Sequence, residues 1–257
     1  MKIKTIQWNI GGGKLLKEGE DPTLIASYSL PGIDQIAGVI KIYDPDIVTL
    51  NEVQCDNNTN QAQTLSQITG LNSYYFHEFS DSHIEPENRL GMAIISKFPV
   101  TMQSFEVFFN PKYQVIWEDD SDAISYDKGI ITVALELSNK QRLIVQTLHL
   151  IPFRRFNIEP LSDETLKFRG DVESKIDKSS SPYLLQGDFN FDNASLKEFL
   201  PQIFKTGLNE INQIEPTTPK NRRYDHILYR GLKLESTKTR SNVKTDHYPV
   251  LAEFSLG

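Results

Sequence analysis

Two β-sheets packed face to face, with helices on their outer surfaces, is the α/β architecture that this sequence predicts. Strand-like runs outnumber helical ones, and several follow one another at hairpin spacing in the middle of the chain. No linker rich in Pro, Gly or Ser, no internal repeat and no low-complexity tract interrupts the 257 residues. Residues 1–257 therefore read as a single domain.

Taken in order, Ile3 to Trp8 is a first strand ending at Asn9. Gly11-Gly12-Gly13-Lys14 lacks the Gly-x4-Gly-Lys-Ser/Thr spacing of a phosphate loop and reads as a flexible exit. Residues 15–32 look irregular. Ile33, Ile36, Ala37 and Ile40 recur at helical spacing, and Asp44-Pro45-Asp46 ends that helix. Ile47 to Leu50 is a second strand with Asn51-Glu52 at its end. Thr59 to Thr69 is a helix closed by Gly70. Tyr74 to Phe79 is an aromatic strand, and residues 81–88 form a polar loop. Leu90 to Ser96 and Val100 to Phe109 are consecutive strands joined at Lys97-Phe98-Pro99. Residues 110–128 form a long acidic excursion, in which Trp117 has no evident role. Ile130 to Leu137 turns at Ser138-Asn139-Lys140 into Arg142 to Leu148, which ends at His149. Ser162 to Ile176 is a helix with Ser162 as N-cap. Tyr183 to Asp188 is a strand, and Ala194 to Leu200 a short helix. Tyr224 to Tyr229, Leu232 to Thr239 and Tyr248 to Phe254 are the last strands.

The bulk numbers narrow the function. A hydrophobic fraction of 39% with 24% charged residues is that of a soluble globular chain. The net charge of −7 argues against general polyanion binding, but leaves room for a local basic patch and for divalent metal among acids. Cys55 is the single cysteine, so an intrachain disulfide and a cysteine-based zinc cluster are excluded. No long apolar segment is present, so neither a signal peptide nor a membrane partner is expected, and the expected location is cytoplasmic.

Polar groups recur where predicted strands end: Asn9, Glu52, His149, Asp188 with Asn190, Asp225, and Asp246 with His247. Each has a structural alternative. Asn9 fits a turn, Glu52 a solvated acid, His149 a core histidine, and Asp225 a partner for Arg222 or Arg223. Gly187-Asp188-Phe189-Asn190 fits an Asx-turn, and Asp246-His247 a surface turn. Their recurrence is harder to assign to chance, because strand ends at one edge of a sandwich converge. Glu52 and Asp246 are hard oxygen donors suited to Mg2+ or Mn2+. Asp188 is placed to orient or deprotonate a water, with Asn190 holding its geometry. His247 is a donor for phosphate oxygens, with Asp225 fixing its tautomer.

These residues resemble the endonuclease/exonuclease/phosphatase superfamily, the deoxyribonuclease-I-like fold. Trp8-Asn9-Ile10 is similar to its first motif and Leu50-Asn51-Glu52-Val53-Gln54 to its metal-ligand motif. Gly91 to Lys97 resembles its central strand pair, and Thr147-Leu148-His149-Leu150 its histidine motif. Gly187-Asp188-Phe189-Asn190, Tyr224-Asp225-His226-Ile227-Leu228 and Asp246-His247-Tyr248-Pro249-Val250 resemble the three motifs that close it. The resemblance implies a four-layer α/β sandwich of two mainly antiparallel sheets and metal-dependent phosphoester hydrolysis. It implies metal contacts from Asn9, Glu52 and Asp246, and catalysis by His149, Asp188, Asn190, Asp225 and His247. Thr245 stands where the family often has serine.

His149 points away from the branch that resembles exonuclease III. In some of the other relatives a glutamate pairs with that histidine, for which Glu78 is the candidate. Arg223-Tyr224-Asp225-His226 departs from the Trp-Cys-Asp-Arg of inositol 5-phosphatases. Asn88 and Arg89, and Arg154 with Arg155, are either solvated loop residues or clamps for a substrate phosphate. Phe153 and Phe156 beside the arginines suggest stacking on a nucleotide. Nucleic acid is thus the first expected substrate. A small or lipid-linked phosphoester is the second reading, and an inactive binding module on the same fold the third.

Overall fold

The structure, a computed structural model, describes residues 1–116, 122–179 and 182–256. Strand β1 (Lys2–Asn9) alternates in burial at its start and is fully buried from Thr5 onward, so it runs from an edge into the interior. The stretch expected to be irregular holds a small antiparallel pair, β2 (Lys14–Leu16) and β3 (Tyr28–Pro31). Helix α1 (Ile33–Tyr43) buries Ile36, Ala37 and Ile40, and Asp44 in left-handed conformation ends it. Strand β4 (Ile47–Cys55) runs past its expected end. Helix α2 (Gln61–Thr69) starts at Asn60, whose side chain accepts from the Gln63 N–H, and stops at Gly70.

Next come β5 (Ser73–Asp81), β6 (Arg89–Ser96) and β7 (Val100–Val107). The expected excursion carries a short hairpin, β8 (Gln114–Ile116) with β9 (Asp122–Ile124); Trp117 lies outside the described residues. The pair β10 (Gly129–Glu136) and β11 (Arg142–His149) follows. Helix α3 (Leu166–Lys175) starts later than expected. A single 3-10 turn precedes it, and the Ser162 hydroxyl makes no cap bond. Strand β12 (Tyr183–Asp188) leads to α4 (Leu196–Phe199), opened by a Ser195/Glu198 capping box, and α5 (Pro201–Phe204). The chain closes with β13 (Asn209–Glu210), β14 (Asp225–Arg230), β15 (Lys233–Thr239) and β16 (Val250–Ser255).

Two six-stranded sheets result, ordered β15-β16-β1-β4-β6-β5 and β13-β14-β12-β11-β10-β7. Only β1/β4 and β11/β12 are parallel neighbours within them. The consecutive strands β6 and β7 fall in different sheets, so Lys97-Phe98-Pro99 is a crossover between layers. Ile94, Val133, Val145, Leu184 and Phe254 fill the space between the sheets. Helices α1 and α2 cover the first sheet over Ile6, Trp8, Val48 and Leu50. Helices α3 and α4 cover the second over Phe153, Phe168 and Phe199. The four layers follow from these three apolar seams. No helix among the described residues is long and apolar enough to cross a membrane.

At one end the seam between the sheets turns polar. Gln7 Nε2 donates to Asn51 Oδ1 (2.6 Å) and to Asp225 Oδ1 (3.3 Å), and Thr49 Oγ1 donates to Gln7 Oε1 (2.6 Å). Asn51 Nδ2 donates to the Leu148 carbonyl (2.9 Å), while Asn51 Oδ1 accepts from the Asp188 N–H (3.1 Å). A buried network satisfied in this way fixes the register of β1 and β4 against β11, β12 and β14. Close approach does the rest. A Cβ at Gly187 would stand 2.1 Å from the Leu148 carbonyl oxygen. Gly187→Ala is therefore expected to lower stability by about 1–3 kcal/mol or more, seen as a fall in the thermal midpoint, because the strand carrying Asp188 must shift.

Candidate active site

Register places the functional groups at one edge. Asn9 pairs with Asn51 across β1 and β4, His149 with Asp188 across β11 and β12, and Asp188 with Asp225 across β12 and β14. Glu52 is the extra residue of a β-bulge, where the pairing of β4 with β6 shifts between Asn51 and Val53. Its φ of +53° is a conformation that L residues rarely adopt. The bulge takes Glu52 out of the ladder and aims it at the pocket. The loop carrying Asp246-His247 is tied to β1 by Trp8 Nε1, which donates to the His247 carbonyl (3.0 Å). Thr245 Oγ1 donates to the same carbonyl (2.6 Å), so a hydroxyl does this work whether serine or threonine supplies it.

Glu52, His149, Asp188, Asn190, Asp246 and His247 line a pocket of about 260 Å³. His247 Nδ1 lies 2.7 Å from Asp225 Oδ2, and its Nε2 lies 3.9 Å from Asp188 Oδ2. Burial disfavours the His247 imidazolium, but Asp225, Asp188 and Asp246 outweigh burial and hold its pKa well above the ordinary value. Burial pushes the Asp188 carboxyl up to about 6, against the pull of His247. Asp188 Oδ1 accepts from the Asn190 N–H (2.8 Å) and Oδ2 from Asn9 Nδ2 (3.0 Å). The Asn190 side chain donates to the Leu150 carbonyl (3.0 Å). His149 is held well below the ordinary histidine range by burial and by the nearby Lys128, so its ring is neutral.

Glu52 and Asp246 fit a divalent cation. The buried Asp246 Oδ1 has no hydrogen-bond partner. A Cβ at Gly11 would stand 2.5 Å from that oxygen, so only glycine leaves the carboxylate its place. Burial opposes the Glu52 carboxylate, yet His83, Lys128 and His247 outweigh it and lower its pKa. No group of three or more His, Cys, Asp or Glu forms a ready ligand cage among the described residues. Two carboxylates completed by water is nonetheless a donor set that Mg2+ and Mn2+ accept. Asn9 lies beside these groups: its nitrogen donates to Asp188 Oδ2, and its oxygen accepts from the Gly11 N–H (3.0 Å).

Several expectations are corrected. Glu78 does not meet His149. It accepts from Cys55 Sγ (3.1 Å) and pairs with Arg89 Nε (3.0 Å), because it sits on the edge strand β5. Arg89 also pairs with Asp81, and Asn88 Nδ2 donates to Glu85, so neither reaches the pocket. Arg154 and Arg155 do line it. Phe153 and Phe156 are buried in the core beneath α3, which removes them as stacking platforms. Asp225 pairs with His247 while Arg222 pairs with Asp192. Burial, with Glu78 adding to it, pushes the Cys55 thiol up to about 12. Folded protein is thus expected to resist thiol alkylation at pH 8, where on the order of 1 in 10,000 molecules carries a thiolate, and to label fully once denatured.

Lys128 was not anticipated from the sequence. Strand β10 is antiparallel to β11, with Ile130 opposite Leu148, so the start of β10 meets the end of β11. Attention to strand ends alone misses a residue that enters from a strand start. Lys128 Nζ lies 2.9 and 2.8 Å from the two ring nitrogens of His149.

Residues 6–247 match the Endonuclease/Exonuclease/phosphatase family, and the chain belongs to it. Members of this family hydrolyse phosphoesters and generally use divalent metals. A UPF0294 protein of Vibrio cholerae is 30% identical over 143 residues, which is 50% of this chain and 46% of that protein. The chain thus matches less than half the length of such relatives. An endonuclease/exonuclease/phosphatase from Beutenbergia cavernae superposes with a TM-score of 0.74 at 18% identity, over 100% of this chain and 72% of that one. ANGEL2, a 2',3'-cyclic phosphatase solved with adenosine-2',3'-vanadate, gives 0.66 at 17% identity over 99% and 95%.

Proposed function

We propose that this chain is a Mg2+- or Mn2+-dependent phosphoesterase that takes a small phosphoester into its pocket and cleaves it with water. The carrying observation is the opposition of an imidazolium, His247 held by Asp225, to a carboxylate, Asp188 held by Asn9 and Asn190. Asp188 accepts a proton from the attacking water. His247 donates a hydrogen bond to a non-bridging oxygen as negative charge builds on it. Asp225 accepts from Nδ1–H and stabilises the imidazolium, whose second proton, on Nε2, faces the substrate. Glu52 and Asp246 would hold the cation, which supplies charge neutralisation at the phosphate and at the leaving oxygen.

The compact pocket, the buried Phe153 and Phe156 and the net charge of −7 favour a small ester over a polymer. Cleavage of nucleic acid is the second reading, favoured by Arg154, Arg155 and Lys220 around the pocket. The test is a panel of bis(p-nitrophenyl) phosphate, a nucleoside 2',3'-cyclic phosphate, plasmid, single-stranded DNA and RNA, each with Mg2+, Mn2+ or chelator. Metal-dependent turnover of the small esters is expected. Cleavage confined to the polymers would replace the first reading with the second.

A further inference from the structure

Lys128 is only 2% exposed, yet it lines the pocket. Its ammonium sits 4.4 Å from the centre of the Tyr126 ring and 5.8 Å from that of Phe79, so aromatic faces hold it in position. No carboxylate is in ion-pair contact with Nζ among the described residues. Its hydrogen-bond contacts are Tyr126 Oη (3.2 Å) and His149. An ammonium has three N–H donors, and a neutral imidazole offers one lone pair. Tyr126 and His149 therefore occupy two donors and leave one without an acceptor. A buried cation in this state is costly: burial pushes the Lys128 pKa down to about 7, and an arriving anion would favour its charged form. The pocket is the route by which one can arrive.

We propose that Lys128 is a catalytic residue that binds a non-bridging oxygen of the substrate phosphate from the His149 side of the pocket. The assignment rests on the phosphoesterase reading above. It also gives the geometry a division of labour. The carboxylates hold the exchangeable cation, and Lys128 adds a covalently attached cation to the lining of the same pocket. His149 then serves to align Lys128, its Nε2 lying 2.8 Å from Lys128 Nζ, 3.8 Å from Glu52 and 3.5 Å from Asp188.

The test is calorimetric titration of inorganic phosphate into chelator-treated wild type, Lys128→Met and Lys128→Arg, with thermal melts of each. Lys128→Met is expected to weaken phosphate binding by about 10- to 100-fold, the effect of losing a charge-assisted hydrogen bond. Lys128→Arg is expected to retain most of the binding. The melting temperature of Lys128→Met should match or exceed that of wild type, because an unpaired buried charge has been removed, and Mn2+ affinity should be no weaker. Phosphate affinity unchanged in Lys128→Met would overturn the assignment. So would a wild type that binds no phosphate. Turnover is scored separately: phosphate held through Lys128 in a protein that hydrolyses no ester refutes the hydrolase reading alone.

Discussion

His247→Ala is expected to lower kcat by about 100- to 1,000-fold with little change in KM, the loss seen when one preorganised donor to a developing oxyanion is removed. The ring is placed by two independent constraints. Its backbone carbonyl is gripped by Trp8 and Thr245, and its Nδ1 is gripped by Asp225. Three carboxylates keep it protonated despite burial. Alanine removes the donor and leaves Asp225 buried beside an empty volume. Asp225→Asn keeps the ring but loses the carboxylate that stabilises its charge, so it should give a smaller defect of the same kind. Steady-state kinetics on the preferred small ester, with circular dichroism to confirm folding, checks both.

Asp246→Asn is expected to abolish the stimulation of activity by Mg2+ and Mn2+ and to weaken Mn2+ binding by at least about tenfold, since a neutral amide replaces a charged hard donor. Glu52→Gln should do the same. Without metal Asp246→Asn should cost no stability, because burial and the neighbouring Glu52 push the Asp246 carboxyl up to about 6. Glu52→Gln should instead lower the melting temperature at neutral pH, because His83, Lys128 and His247 outweigh burial and favour the Glu52 carboxylate. Gly11→Ala is the steric counterpart: its Cβ would drive the Asp246 carboxylate from its place without altering any ligand. Mn2+ titration followed by electron paramagnetic resonance separates binding from turnover in all three.

The fold was legible in this sequence wherever apolar residues alternated or a strand stopped at a polar group. β1, β10, β11 and β12 lie where their patterns put them, because their apolar runs are buried almost throughout as interior strands of the two sheets. Short partners escaped. β2 with β3, β8 with β9, and β13 are held by pairing across the chain and have little pattern of their own. The site was legible through strand ends, which register gathers to one edge. It was illegible where tertiary geometry decides. The bulge at Glu52, the inter-sheet roles of Gln7 and Asn51, and the entry of Lys128 from the start of an antiparallel strand leave no trace in spacing. Glu78 shows the opposite error, since its place beside an aromatic strand says nothing about which face it takes.

Hydrolysis of bis(p-nitrophenyl) phosphate by metal-stripped protein, titrated with Mn2+ and run beside Asp188→Asn, tests the central claim most directly. Wild type is expected to show no turnover in chelator and saturable recovery with metal. Asp188→Asn, which keeps Glu52 and Asp246, is expected to bind Mn2+ and yet remain slower by about 100- to 10,000-fold, the contribution of a positioned general base. Turnover that persists in chelator, or an Asp188→Asn protein as fast as wild type, would contradict the account.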